Sequence, residues 1–140
     1  MHFWDQHKTI TRYYEILMSS VCEKYQLKHL EYDILMFLHN NPQYRTAADI
    51  ARVRKSTKSH VSTSLKTLED RGLIAKKTDP VNKKHIELDL LELANEIVQD
   101  GLLAQRQFAE QMLRGLNIAV CKRVFQQVCS NAEECIKQKG

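Results

Sequence analysis

The stretch from Thr46 to Leu88 limits what this chain can fold into more than any other part of it. It reads as helix, short turn, second helix, glycine stop, then a two-stranded hairpin with a charged tip. Thr46 and Asp49 have the spacing of a reciprocal capping box. Ala47, Ile50 and Ala51 place an apolar stripe behind that cap. Arg54, Lys55 and Ser56 break the periodicity before Thr57 offers a fresh N-cap oxygen. In the next helix Val61, Leu65 and Leu68 recur at steps of four and three, while Lys58, Ser59, Ser62, Thr63 and Lys66 fall mostly elsewhere. One side of such a helix is made for burial; the other offers hydroxyls, amines and the imidazole of His60. Gly72 is expected to stop it in left-handed backbone. Residues 73–77 and 85–88 can pair as strands around Asp79–Lys84, with Asp-Pro and Asn forming the turn and Lys83 and Lys84 at the tip. A helix-turn-helix followed by such a hairpin is a winged helix. Its second helix can enter a major groove while the wing touches the adjacent backbone.

Charge follows the same stretch. Residues 45 to 85 hold eleven Lys and Arg against four Asp and Glu, whereas the remainder is net negative although the whole chain is +4. Positive charge gathered on one module is what phosphate binding requires.

The flanks read as long helices. Residues 5 to 26 carry Ile10, Tyr13, Tyr14, Leu17, Val21 and Tyr25 at three- and four-residue steps, a core or interface stripe. Residues 30 to 40 are apolar over most of the circumference, so that helix is expected to be buried. Asn40-Asn41-Pro42 ends it, with His39 as a polar boundary residue. After the wing, Asp89 is expected to cap a helix from about 91 to 115, striped by Leu93, Ile97, Ala104, Phe108 and Met112. Gly101 in its middle is either a close-packing point or a bend. Gly115 should end that helix and Asn117 cap the last, 118 to 137, whose apolar side holds Val120, Val124, Phe125, Val128, Ala132 and Ile136. The terminal helices have more apolar surface than one small winged helix can cover. A second copy, packed about a two-fold axis, is the simplest remedy.

The residues Asp49-Ile50-Ala51, Ser56 through Ser62, Leu68-Glu69-Asp70-Arg71-Gly72-Leu73-Ile74 and Asp79-Pro80 with the basic wing tip resemble the MarR family of bacterial transcription regulators. The order of the flanking helices extends the likeness over essentially the whole chain. The family's wing usually reads Asp-x-Arg, and Asn82 and Lys84 stand at those positions here; Leu91 stands where a threonine is frequent. A lysine meets a phosphate as a point charge, without the bidentate fork of arginine. The resemblance implies an obligate dimer joined through its N- and C-terminal helices. It also implies a small effector, often phenolic or otherwise anionic and aromatic, that alters the separation of the recognition helices. No effector pocket is assigned.

The four cysteines, Cys22, Cys121, Cys129 and Cys135, include no Cys-x-x-Cys pair. Their plain reading is reduced, small apolar residues; the sharper one makes Cys22 a redox switch, as some MarR-like regulators sense oxidants near the dimer helices. The six histidines form no metal motif, and neither metal nor cofactor is expected. No phosphate loop, nucleophile elbow or paired acid and base points to an enzyme. The N-terminus lacks a signal-peptide pattern and no apolar run spans a bilayer, so a cytoplasmic location is expected.

The expected fold is mainly α with a small β-hairpin wing, a winged helix-turn-helix at about 29–90 flanked by dimerisation helices at about 1–28 and 91–140, within one domain. The expected function is sequence-specific binding of a pseudopalindromic double-stranded operator by a homodimer, most simply as a repressor. Arg54, Lys55, Ser56, Thr57, Lys58, Ser59, His60, Ser62, Thr63, Lys66, Asn82, Lys83 and Lys84 form the expected DNA face. Ser59, His60, Ser62 and Thr63 are its candidates for base edges. Arg54, Lys55, Lys58, Lys66, Lys83 and Lys84 are its candidates for phosphates. A protein-binding adaptor, the competing reading, would need an apolar or acidic recognition helix, which Lys58, Ser62, Thr63 and Lys66 do not make.

Overall fold

The computed structural model describes residues 1–140, in two compact units: Met1–Gln105 and Arg106–Gly140. The chain forms α1 (Phe3–Tyr25), α2 (His29–Asn40), α3 (Ala47–Arg54), α4 (Lys58–Asp70), β1 (Ile74–Thr78), β2 (Ile86–Leu90), α5 (Asn95–Met112) and α6 (Ile118–Lys139). β1 and β2 form a two-stranded antiparallel sheet that pairs Ile74 with Leu90 and Thr78 with Ile86.

The first unit is built around α2. Tyr32, Ile34, Leu35, Met36, Phe37 and Leu38 are all buried, so nearly every side of this helix faces other protein. Ile50 from α3, Val61, Leu65 and Leu68 from α4, and Ile74 and Leu88 from the sheet join the same core. From α1 only the C-terminal part contributes buried side chains, Met18, Val21 and Cys22.

Gly101 decides how closely α5 approaches α2. A Cβ at this position would lie 2.4 Å from Met36 Sδ and 3.1 Å from Tyr32 Oη. It is therefore a close-packing point. Across the same unit, Asp100 accepts from Lys24 Nζ (2.8 Å) and Tyr25 Oη (2.6 Å), tying α5 to the end of α1.

Several expectations need correction. Asp89 does not cap a helix; it lies in β2 opposite Ala75, and its carboxylate pairs with Arg45. The alternation of Leu88, buried, with its half-buried neighbours continues the strand to Leu90 and overrides the capping potential of Asp89. A 3-10 turn at Glu92–Ala94 then precedes α5, which ends at Met112 rather than at residue 115. Ala47, expected in the apolar stripe of α3, is exposed.

The second unit contains the end of α5 and α6. Asn117 Oδ1 accepts from the Val120 amide (3.1 Å), so the expected cap starts α6. No residue of α6 is buried: Val124 is 54% and Phe125 61% exposed.

Candidate nucleic-acid interface

The recognition helix is fixed at both ends by its own sequence. α3 opens on the reciprocal cap, with the Asp49 amide donating to Thr46 Oγ1 (3.1 Å) and the Thr46 amide to Asp49 Oδ2 (3.3 Å). It ends at Lys55, which adopts the left-handed region (φ 53°) although it is not glycine. That single residue turns the chain, and Thr57 Oγ1 then accepts from the His60 amide (3.2 Å) to start α4. At the far end the Gly72 amide donates to Glu69 O and the Leu73 amide to Leu68 O, both at 3.0 Å, a Schellman motif closed by Gly72 at φ +73°.

Val61, Ser64, Leu65 and Leu68 turn inward from α4. Lys58, Ser59, Ser62, Thr63 and Lys66 are exposed, and the first turn has no acidic residue to repel an anion. His60 is exposed too, but lies on the flank of the helix facing the start of α2 rather than at the centre of the outer face. Ser56 is half-buried in the turn, where its amide donates to Ala51 O (3.1 Å), and Thr57 spends its hydroxyl oxygen as the cap.

The wing tip is ordered by its own side chains. Asp79 Oδ1 accepts from the amides of Val81 (2.8 Å) and Asn82 (3.2 Å). Those two amides hold the Asp79 carboxyl below the usual carboxylate range. Asn82 Oδ1 accepts from the Lys84 amide (3.2 Å), and the Asp79 and His85 amides close the loop through His85 O and Asn82 O. Lys83 and Lys84 project from this frame, both exposed. Asn82 therefore shapes the tip with its carbonyl oxygen and has only its amide NH2 to offer outward.

Three arginines near the face also make contacts within the fold. The Arg54 guanidinium lies 5.4 Å from the centre of the Phe37 ring, and its charge opposes the burial that raises the carboxyl of Asp33. Arg71 donates to Gln26 O (3.0 Å) and Tyr25 O (2.7 Å), binding the end of α4 to the C-terminus of α1. Arg45 clasps β2: its carbonyl accepts from the Leu88 amide (2.7 Å) while its guanidinium reaches Leu88 O and Asp89. Arg45 and Arg71 count toward the positive charge of residues 45–85, but their polar contacts tie them to the fold.

Cys22 is buried, and burial first, then the nearby Asp33 and Glu31 carboxylates, push its thiol up to about 11. A thiol held neutral is a poor nucleophile. No group of three His, Cys, Asp or Glu side chains converges where a metal ion could sit. No helix is long and apolar enough to cross a membrane.

No curated protein matches the chain in sequence. In structure it is similar to MarR, at 18% identity and a TM-score of 0.72, over 100% of this chain and 95% of that one. It is also similar to MepR of S. aureus in a complex with DNA, at 15% identity and 0.76, over 96% of this chain and 98% of that one. A third similar structure is Bordetella bronchiseptica BpsR, described by regulation of its DNA binding by 6-hydroxynicotinic acid. It matches at 14% identity and 0.69, over 94% and 93% of the two chains. Residues 25–85, from the end of α1 to the base of the wing, match the sequence model of the MarR family. The winged-helix part of the chain thus matches the MarR family in sequence, and the fold along the whole chain is similar to those of MarR and MepR.

Proposed function

We propose that this protein is a sequence-specific double-stranded DNA-binding transcription regulator that acts as a homodimer on a pseudopalindromic operator in the cytoplasm. The observation that carries this reading is α4. Its apolar side is fully used in the core, and its outer side presents Ser59, Ser62, Thr63, Lys58 and Lys66 beside a rigid wing bearing two lysines. Residues 29–90 supply the DNA-binding region, with 1–28 and 91–140 supplying the dimer helices. The exposed apolar side of α6 supports that division.

Each partner plays a distinct physical part. Ser59, Ser62 and Thr63 meet base edges, with His60 at the flank of that contact. Lys55, Lys58, Lys66, Lys83 and Lys84 meet phosphates, which set position rather than sequence. Arg54, exposed and 5.4 Å from the centre of the Phe37 ring, joins them at the phosphates. Ser56, Thr57 and Asn82 hold the turn and the wing in register. Two recognition helices on a two-fold axis read half-sites about 10 bp apart, or a multiple of one turn. The chain represses until a small molecule with unequal affinity for the DNA-bound and free conformers shifts the balance between them. The neighbours MepR, crystallised with DNA, and BpsR, regulated by 6-hydroxynicotinic acid, support the two halves of this reading. Cys22 serves as packing in it.

Fluorescence anisotropy of own-promoter and random duplexes across a salt series tests the reading. Preference for the promoter with a steep salt slope is expected. Lys83→Ala with Lys84→Ala should weaken binding to every duplex and lower the slope by up to about 2 units. Ser62→Ala should change the ranking of related sites. Equal affinity for all duplexes, or none at low salt, contradicts the function.

A further inference from the structure

Between the start of α2 and the flank of α4 lies a groove of about 250 Å³, lined by Lys28, Glu31, His60, Thr63, Ser64 and Thr67, with Leu30 as its one apolar residue. Three features of its walls call for an anion. The first is the opening of α2. The Tyr32 amide is the first to find a helical acceptor, Lys28 O at 3.0 Å, so the three amides before it lie outside the ladder. Lys28 at the N-cap has no side-chain oxygen to receive one of them. The second is Ser64. It is only 9% exposed and stands on the inward side of α4, yet its hydroxyl makes no hydrogen bond within the chain and it forms part of the groove wall. The one sealed side-chain atom without a partner is Tyr32 Oη, so the Ser64 oxygen is open to the groove and free to donate there. The third is charge: Lys28 and His60 stand exposed at the groove. Glu31 is the one acid, but it is buried and turned back, accepting from the Lys28 amide at 2.9 Å.

The groove also lies beside the outer face of α4, on the side of His60 and Thr67. A duplex whose major groove receives α4 carries one of its backbones along such a flank. We propose that this groove grips one backbone phosphate of each half-site, held by the α2 amides, the Lys28 ammonium and the Ser64 hydroxyl. The grip rests on the DNA-binding reading above and adds a contact outside both the recognition helix and the wing. It locks the insertion depth of α4 from the side opposite the helix's exposed lysines.

The test is a walk of single neutral methylphosphonate substitutions along each strand of an operator duplex. It compares the parent protein with Lys28→Ala and Ser64→Ala. With the parent, one flank position per half-site should cost about tenfold in affinity, the scale of one lost charge-assisted contact. With Lys28→Ala that position should become nearly silent, and the salt slope should fall by about 1 unit per half-site. Ser64→Ala should weaken binding about three- to fivefold at an unchanged slope, because a neutral donor is lost without a charge. A parent that binds the operator, paired with a Lys28→Ala variant of unchanged slope and unchanged walk, overturns the grip and leaves the regulator intact. A folded parent that binds no duplex overturns both.

Discussion

α4 and α6 are both amphipathic, and they meet opposite ends. In α4 the residues Val61, Ser64, Leu65 and Leu68 are buried within a single chain, which leaves the other side to solvent. In α6 the same kind of stripe, Val120, Val124, Phe125, Val128 and Ile136, stays open, and not one residue of the helix is buried. α1 shows both conditions within one helix. Its last turns bury Val21 and Cys22 beside α2, while Trp4 near its start is 71% exposed. Periodicity states which face of a helix is apolar. It does not state whose atoms will cover that face, and on the proposed function a second copy does so here.

Charging the open face should have the largest effect. Val124→Asp with Val128→Asp puts two carboxylates, one turn apart, where the partner should pack. We expect the dimer to dissociate in sedimentation experiments and operator affinity to fall by about 100-fold or more, since the two half-sites are no longer linked. The same substitutions should leave the helical circular dichroism of the first unit largely intact. Global unfolding would instead mean that α6 is covered within its own chain.

Damage to the closed face should be read in stability. Leu68→Ala removes a fully buried side chain and should cost about 2–5 kcal/mol in urea denaturation. A cost near zero would show that α4 is not held by the core described here. Gly101→Ala comes next. Alanine is favoured over glycine inside a helix by about 1 kcal/mol. Here its methyl would run into Met36 and Tyr32, and we expect a net loss of about 1–2 kcal/mol. A stabilised variant would contradict the close approach of α5 to α2.

The smallest effect should follow pH. The Lys24 and Tyr25 hydrogen bonds hold the Asp100 carboxyl below the ordinary range. A carboxyl with a depressed native pKa adds stability above its unfolded value, about 3.9, and loses that contribution as the pH falls through its native value. The site is largely solvated, so its contribution should stay under about 1 kcal/mol. Asp100→Asn should therefore flatten the acid limb of the stability curve below about pH 4 while changing little near neutrality, as followed by chemical denaturation at stepped pH.

How far the sequence could be read divides along the same line. Local chemistry was visible: the Thr46–Asp49 box, the Thr57 cap, the Gly72 stop and the Asn117 cap all need only neighbouring residues, and all stand as expected. Asp89 misled because a carboxylate before an apolar run suits a cap as well as a strand, and only its pairing with Ala75 and Arg45 decides. The carbonyl contacts of Arg45 and Arg71 were not legible either, because a guanidinium on a backbone carbonyl has the same letter as one facing solvent. Ser64 went unnoticed because a hydroxyl within an apolar stripe looks like noise until the groove beside it is seen.

The most direct test of the whole account is the stoichiometry of the complex, by sedimentation equilibrium of the protein with a labelled own-promoter duplex at low and moderate salt. The account predicts two chains alone in solution and two chains on one duplex, with the promoter complex surviving salt that dissociates random DNA. A single chain that remains monomeric, or a dimer that leaves the promoter duplex free at low salt, would contradict it.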